Sequence, residues 1–173
     1  MRHIIAYAIL LTLAAVACTT EDKDTTAPVI ATAGFDTNPI DCQTYHAGDT
    51  IHFCYLFEDN RELGAYNIEI HNNFDHHTHG TSATDCEDGH HDEENEGHEH
   101  HDDEETPAGA WVFVQDYAIP SGTTSYLAKQ DIAIPLDITA GDYHFSIRLT
   151  DRAGWQEIKA IAIKIKTNQA LEE

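Results

Sequence analysis

Positive charge is scarce in this sequence: nine lysines and arginines stand against 31 aspartates and glutamates, for a formal net charge of −22 at pH 7. A chain this acidic repels polyanions, which excludes nucleic acid as a natural partner and favours cations. Long apolar runs are missing too. The stretch from Ile4 to Val16 falls well short of the roughly 20 residues that a membrane-spanning helix needs. Catalytic signatures are also lacking. There is no Gly-x-Ser-x-Gly, no His-Glu-x-x-His and no cysteine nucleophile dyad, so the chain is not expected to be an enzyme.

What the amino terminus does contain is an export pattern. Arg2 and His3 precede the apolar run, and small Ala17 stands before Cys18, which reads as a signal peptide over residues 1–17. Ala15-Val16-Ala17-Cys18 resembles a lipobox, in which cleavage leaves a lipid-bearing Cys18 as the new first residue. Several acyl chains give stable membrane anchoring where one alone is marginal. Residues 18–26 then form a polar tether. Its Glu21, Asp22 and Asp24 resemble the signal that sends some Bacteroidetes-type lipoproteins to the outer face of the outer membrane.

The remaining chain suits one domain, over residues 27–167, followed by a short tail at 168–173. Short β-type runs separated by turn signals predict an all-β fold, an immunoglobulin-like or fibronectin-like β-sandwich of seven strands. The strands are expected near Val29–Ala33, Thr50–Phe57, Ala65–His71, Ala110–Tyr117, Ser125–Ile134, Asp142–Thr150 and Gln156–Lys166. Alternation identifies the core face: Ile51, Phe53, Tyr55 and Phe57; Tyr66, Ile68 and Ile70; and Tyr143, Phe145, Ile147 and Leu149. His71 and His144 then fall on outer faces. Asp59 to Gly64 and Asp151 to Gly154 read as turns, and Tyr143 as a tyrosine corner.

One connection is too long for a compact domain. Residues 72–109 carry no convincing element, whereas structureless loops beyond about 12 to 15 residues are uncommon and usually functional or disordered. Nine of the thirteen histidines lie between His71 and His101. Most such rings are neutral at pH 7, and imidazole with carboxylate suits zinc, with copper and nickel as alternatives.

The loop divides by composition. In its first half, residues two apart in an extended chain share a side, so His77 and His79 can chelate one ion, with His71 on the strand end and His76 or Asp75 completing the set. The second half, with His90, His91, His98, His100 and His101, has no apolar anchor and no lysine or arginine from Asp85 to Glu105. Ordering costs roughly 1 to 2 kcal/mol per residue against about 10 to 16 kcal/mol from a good structural zinc site. That tract is expected to be largely disordered without metal and to collect several ions weakly.

Sandwich topology brings the connections before the second strand, after the third and before the sixth to one pole. His46, the His71–His79 segment and His144 are therefore expected to converge there, with His52 nearby. The same reasoning favours a disulfide between Cys42 and Cys86 over one between Cys42 and Cys54, leaving one free thiol.

The segment His71-Asn72-Asn73-Phe74-Asp75-His76-His77-Thr78-His79, with the lipobox before it, resembles a family of Bacteroidetes lipoproteins whose function is unassigned. The likeness runs from about Ala27 to Lys166. It implies a cell-envelope location, an immunoglobulin-like fold and metal handling. The expected function is non-catalytic: capture or buffering of a divalent transition metal at the outer membrane, on its periplasmic or extracellular face, for a membrane transporter. A surface adhesion or glycan- or protein-binding module with an incidental histidine-rich loop is the alternative, whose sign would be exposed aromatics among Trp111, Tyr117, Tyr126 and Trp155.

Overall fold

The computed structural model describes residues 22–32, 34, 36–73, 86 and 109–167. Every regular element among them is a strand: β1 (Val29–Ala31), β2 (Gln43–His46), β3 (Thr50–Glu58), β4 (Leu63–Asn72), β5 (Phe113–Ala118), β6 (Ser125–Ala133), β7 (Gly141–Asp151) and β8 (Gln156–Lys166). They form a three-stranded sheet ordered β1-β3-β6 and a five-stranded sheet ordered β2-β8-β7-β4-β5. The two pack face to face as a sandwich.

Alternating sequence explains the packing. Ile51, Phe53, Tyr55 and Phe57 are buried along β3, as are Tyr66, Ile68 and Ile70 along β4 and Tyr143, Phe145, Ile147 and Leu149 along β7. Phe53 stacks across the interior on Phe145 and Tyr66, with ring centroids 6.0 and 6.1 Å apart. Burying one such side chain contributes about 1.5–3 kcal/mol, so these rows are what clamp the sheets together.

Polar tips inside the core are satisfied. The Tyr55 hydroxyl donates to the Pro39 carbonyl at 2.6 Å, and the Tyr66 hydroxyl accepts from Gln130 at 2.8 Å. Burial pushes the phenols of Tyr45 and Tyr66 up to about 12. The Tyr143 hydroxyl donates to the Thr139 carbonyl four residues upstream at 2.7 Å, the bond of a tyrosine corner.

Two features depart from the sequence reading. Eight strands rather than seven occur among the described residues, because β2 was not expected. It has four residues with only Tyr45 buried, too short for alternation to register, and it runs parallel to β8 at the sheet edge. In addition, β5 starts at Phe113 rather than near Ala110. The expected strands otherwise coincide with observed ones to within a few residues.

Connections gather at two poles. At one, β4 ends while β3 and β7 begin. At the other lie the turns after β3, β5 and β7. Gly64 sits at the second pole, where a β-bulge interrupts the β4–β7 register. A Cβ there would come within 2.9 Å of the carbonyl oxygens of Thr150 and Asp151, so only glycine permits the approach.

Candidate metal centre

The first pole brings two histidines into register. On the outer face of the five-stranded sheet, β4 and β7 run antiparallel so that His71 and His144 are directly opposed. Their rings stand edge to face with centroids 5.4 Å apart and an interplanar angle of 85°. The Glu69 carboxylate, two residues back on the same face, lies 3.3 Å from Nδ1 of His71.

Although His144 points away from the core, it is only 5% exposed. Small Ala162, its partner on β8, is equally buried. Beyond Ala162 the row continues into Cys42, whose amide donates to the Ala162 carbonyl at 2.8 Å, while the Asp41 carboxylate accepts from the Ala162 amide at 2.9 Å. Cys42 is joined to Cys86 by a disulfide. One transverse row thus reads Cys42, Ala162, His144, His71. With strands about 4.8 Å apart, the disulfide is fixed about 10 Å from His144.

Asn73 also belongs to this pole. Its amide donates to the Asp142 carbonyl at 2.8 Å, its side chain is buried, and its Oδ1 has no hydrogen-bond partner among the described residues. Nothing in the sequence marks it as a site residue, since an asparagine at a strand end carries no spacing signal.

The other described candidates do not join this row, although His46 shares its pole. His46 closes β2 opposite Lys166, whereas His144 is opposite Ala162. Four residues along β8 amount to about 13 Å, so the expectation that His46 shares an ion with the pair does not fit the register. His46 instead faces Asp49, with Nδ1 and Oδ2 3.7 Å apart. His52 lies on the outer face of the other sheet, highly exposed and 2.7 Å from Asp131. Among the described residues Cys54 is the free thiol.

His76, His77, His79, His90, His91, His98, His100 and His101 lie outside the described residues, as do Cys18, the proposed signal peptide and most of the 72–109 loop. The aromatics do not gather at the surface: Trp111, Tyr117 and Tyr126 pack against the core, and Trp155 is exposed at the second pole.

Chemically, the row offers two imidazoles to one ion. Rings sharing a tetrahedral zinc, each nitrogen about 2.0–2.1 Å from the metal, have centroids roughly 5 Å apart, which the observed separation nearly meets.

No curated protein matches the chain. From residue 16 to residue 166 it matches the family described as a domain of unknown function, DUF4625, and it belongs to that family.

Proposed function

We propose that the chain is a non-catalytic cell-envelope lipoprotein that captures or buffers a divalent transition metal, zinc ahead of copper or nickel, and passes it to a membrane transporter. The observation that carries this reading is the cross-strand pair of half-buried His71 and buried His144 on the same row as the Cys42–Cys86 disulfide. Residues 74–85 connect Asn73 to Cys86. Both flanking residues are fixed near the pair, so the loop-closure cost of bringing His76, His77 or His79 to it is small. Two of these three supply the remaining ligands of a tetrahedral set. Fully extended, twelve residues reach about 40 Å, ample for the return.

Cys86 also starts the acidic tract beside the row. Its carboxylates raise the local cation concentration within a Debye length, about 8 Å at physiological salt, and His90, His91, His98, His100 and His101 bind several ions weakly. His46 stands outside the tight site in this reading. The lipid on Cys18 holds the domain at the outer membrane.

The sandwich itself is of immunoglobulin-like type in this reading. Support comes from the split of first, third and sixth strands into one sheet, a short β2 parallel to the last strand, and the tyrosine corner at β7. The adhesion alternative receives no comparable support, because its aromatic candidates are turned inward or scattered.

The test is zinc titration by calorimetry on the chain without residues 1–18. The double variant His71→Ala/His144→Ala should weaken the tight site at least 100-fold. Deleting residues 87–105 should reduce only weak binding, and acidification to pH 5.5 should release the ion as imidazoles protonate. Retention of every tight site in the double variant defeats the metal-centre reading. Indifference to both changes puts the adhesion module first.

A further inference from the structure

The second pole carries a different set of donors, which the sequence did not signal and which lies outside the zinc reading. Asp24 from the segment before β1, Asp59 from the β3–β4 turn and Asp151 from the end of β7 each bring one carboxylate oxygen within 4.8 Å of the other two. Asp24 and Asp151 are buried. Like charges gathered away from water repel strongly unless a cation joins them.

Part of each carboxylate is already committed. Asp59 Oδ2 accepts from the amides of Arg61 and Glu62 at 2.6 and 2.7 Å, and Asp151 Oδ1 accepts from the Trp155 amide at 2.8 Å. Asp24 Oδ1 accepts from the Thr26 amide at 3.1 Å and the Asn60 side chain at 3.3 Å. The other oxygens tell the more useful story. Asp151 is 4% exposed, yet its Oδ2 is buried with no hydrogen-bond partner among the described residues, and the same holds for Asp59 Oδ1.

Neighbouring cations do not answer this need. Arg152 is directed to Glu62 at 3.4 Å and to the Ser121 hydroxyl at 3.0 Å. Among the described residues no lysine or arginine is ion-paired with Asp24, Asp59 or Asp151.

We propose that Asp24, Asp59 and Asp151 form a calcium site. An all-oxygen, triply anionic set matches a hard divalent cation, while zinc and copper favour nitrogen or sulfur. Oxygens bound to calcium at about 2.3–2.6 Å lie at most about 5 Å apart, which accommodates the full spread of the cluster. Magnesium, at about 2.0–2.1 Å, demands a stricter octahedron and sheds its waters reluctantly, which suits a cluster of three carboxylates less well.

The site has a structural consequence. Asp24 belongs to the tether, and its carbonyl accepts from the Trp155 indole at 3.0 Å. Calcium would therefore pin the tether to the β3–β4 and β7–β8 turns and fix how the domain stands relative to whatever precedes residue 22.

The experiment is thermal unfolding and terbium luminescence of the full chain, titrated with calcium or magnesium after EDTA treatment. Terbium serves as the calcium probe, excited through the adjacent Trp155. Calcium should raise Tm at concentrations at least tenfold below those at which magnesium acts. Asp59→Asn and Asp151→Asn should each raise the half-saturating calcium concentration at least tenfold and lose the tight terbium signal, although both keep the acidic tract. In EDTA, Asp151→Asn should melt at or above the parent, since it removes repulsion; a purely structural carboxylate would make it melt lower under both conditions. Should that variant fail to fold, Asp59→Asn and the parent titration still decide. Equal calcium responses in parent and variants, equal action of calcium and magnesium, or no Tm shift in the parent would overturn the proposal.

Discussion

The two poles of this sandwich offer opposite kinds of donor on the same scaffold. At one, imidazoles from β4 and β7 meet across a strand pair beside a disulfide. At the other, three carboxylates arrive from the segment before β1, the β3–β4 turn and the end of β7. The difference teaches that position on a β-sandwich sorts ligand chemistry. Strand register delivers rings in pairs at fixed spacing, whereas a turn and a strand end deliver short acidic side chains whose amide partners hold one oxygen and leave the other. Borderline metals suit the first arrangement and hard cations the second.

The largest expected effect comes from cutting the staple that belongs to only one pole. With a sequence separation of 44 residues, replacing Cys42 and Cys86 by alanine should cost about 4 kcal/mol on a chain-entropy basis, measured by urea unfolding. Zinc affinity at the histidine pole should fall at least tenfold. Calcium-dependent stabilisation should be unchanged, and a parallel loss at both poles would break the distinction.

Gly64→Ala probes the other side. The new Cβ would meet the carbonyl oxygens of Thr150 and Asp151 at 2.9 Å, which are backbone atoms that yield only if β4 and β7 part. The expected cost is about 1–3 kcal/mol. Displacement of Asp151 should weaken calcium binding while zinc binding stays within a factor of two.

Much of this architecture is legible in the chain itself. The alternation of Ile51, Phe53, Tyr55 and Phe57, and of Tyr143, Phe145, Ile147 and Leu149, marks strands because each has one buried face and one solvated face. That alternation also puts His71 and His144 on outer faces at strand ends, so their meeting follows once β4 and β7 are neighbours. Lateral order is harder to read. The sequence groups His46 with the pair because β2 gives no signal of its own, and nothing in Gln43–His46 shows that it lies beyond β8. The aspartate cluster is illegible for a related reason: positions 24, 59 and 151 share no local spacing, and only folding makes them neighbours.

The smallest effect under ordinary conditions is alkaline. Burial raises the Tyr45 and Tyr66 phenols from 10.0 to about 12. Their contribution to stability is therefore complete below pH 10 and is lost as pH climbs toward 12. Tm measured from pH 9 to 12 should decline over that window, with both poles failing together because these rings belong to the shared core.

The central claim is that one ion sits between facing strands at the histidine pole. Nitrogen NMR of the imidazole rings, with one equivalent of zinc added to the chain without residues 1–18, tests it most directly. The account predicts that ring nitrogens of both His71 and His144 take on metal-ligated shifts together and at the same stoichiometry. Zinc bound at one equivalent with the His144 ring unchanged would contradict it.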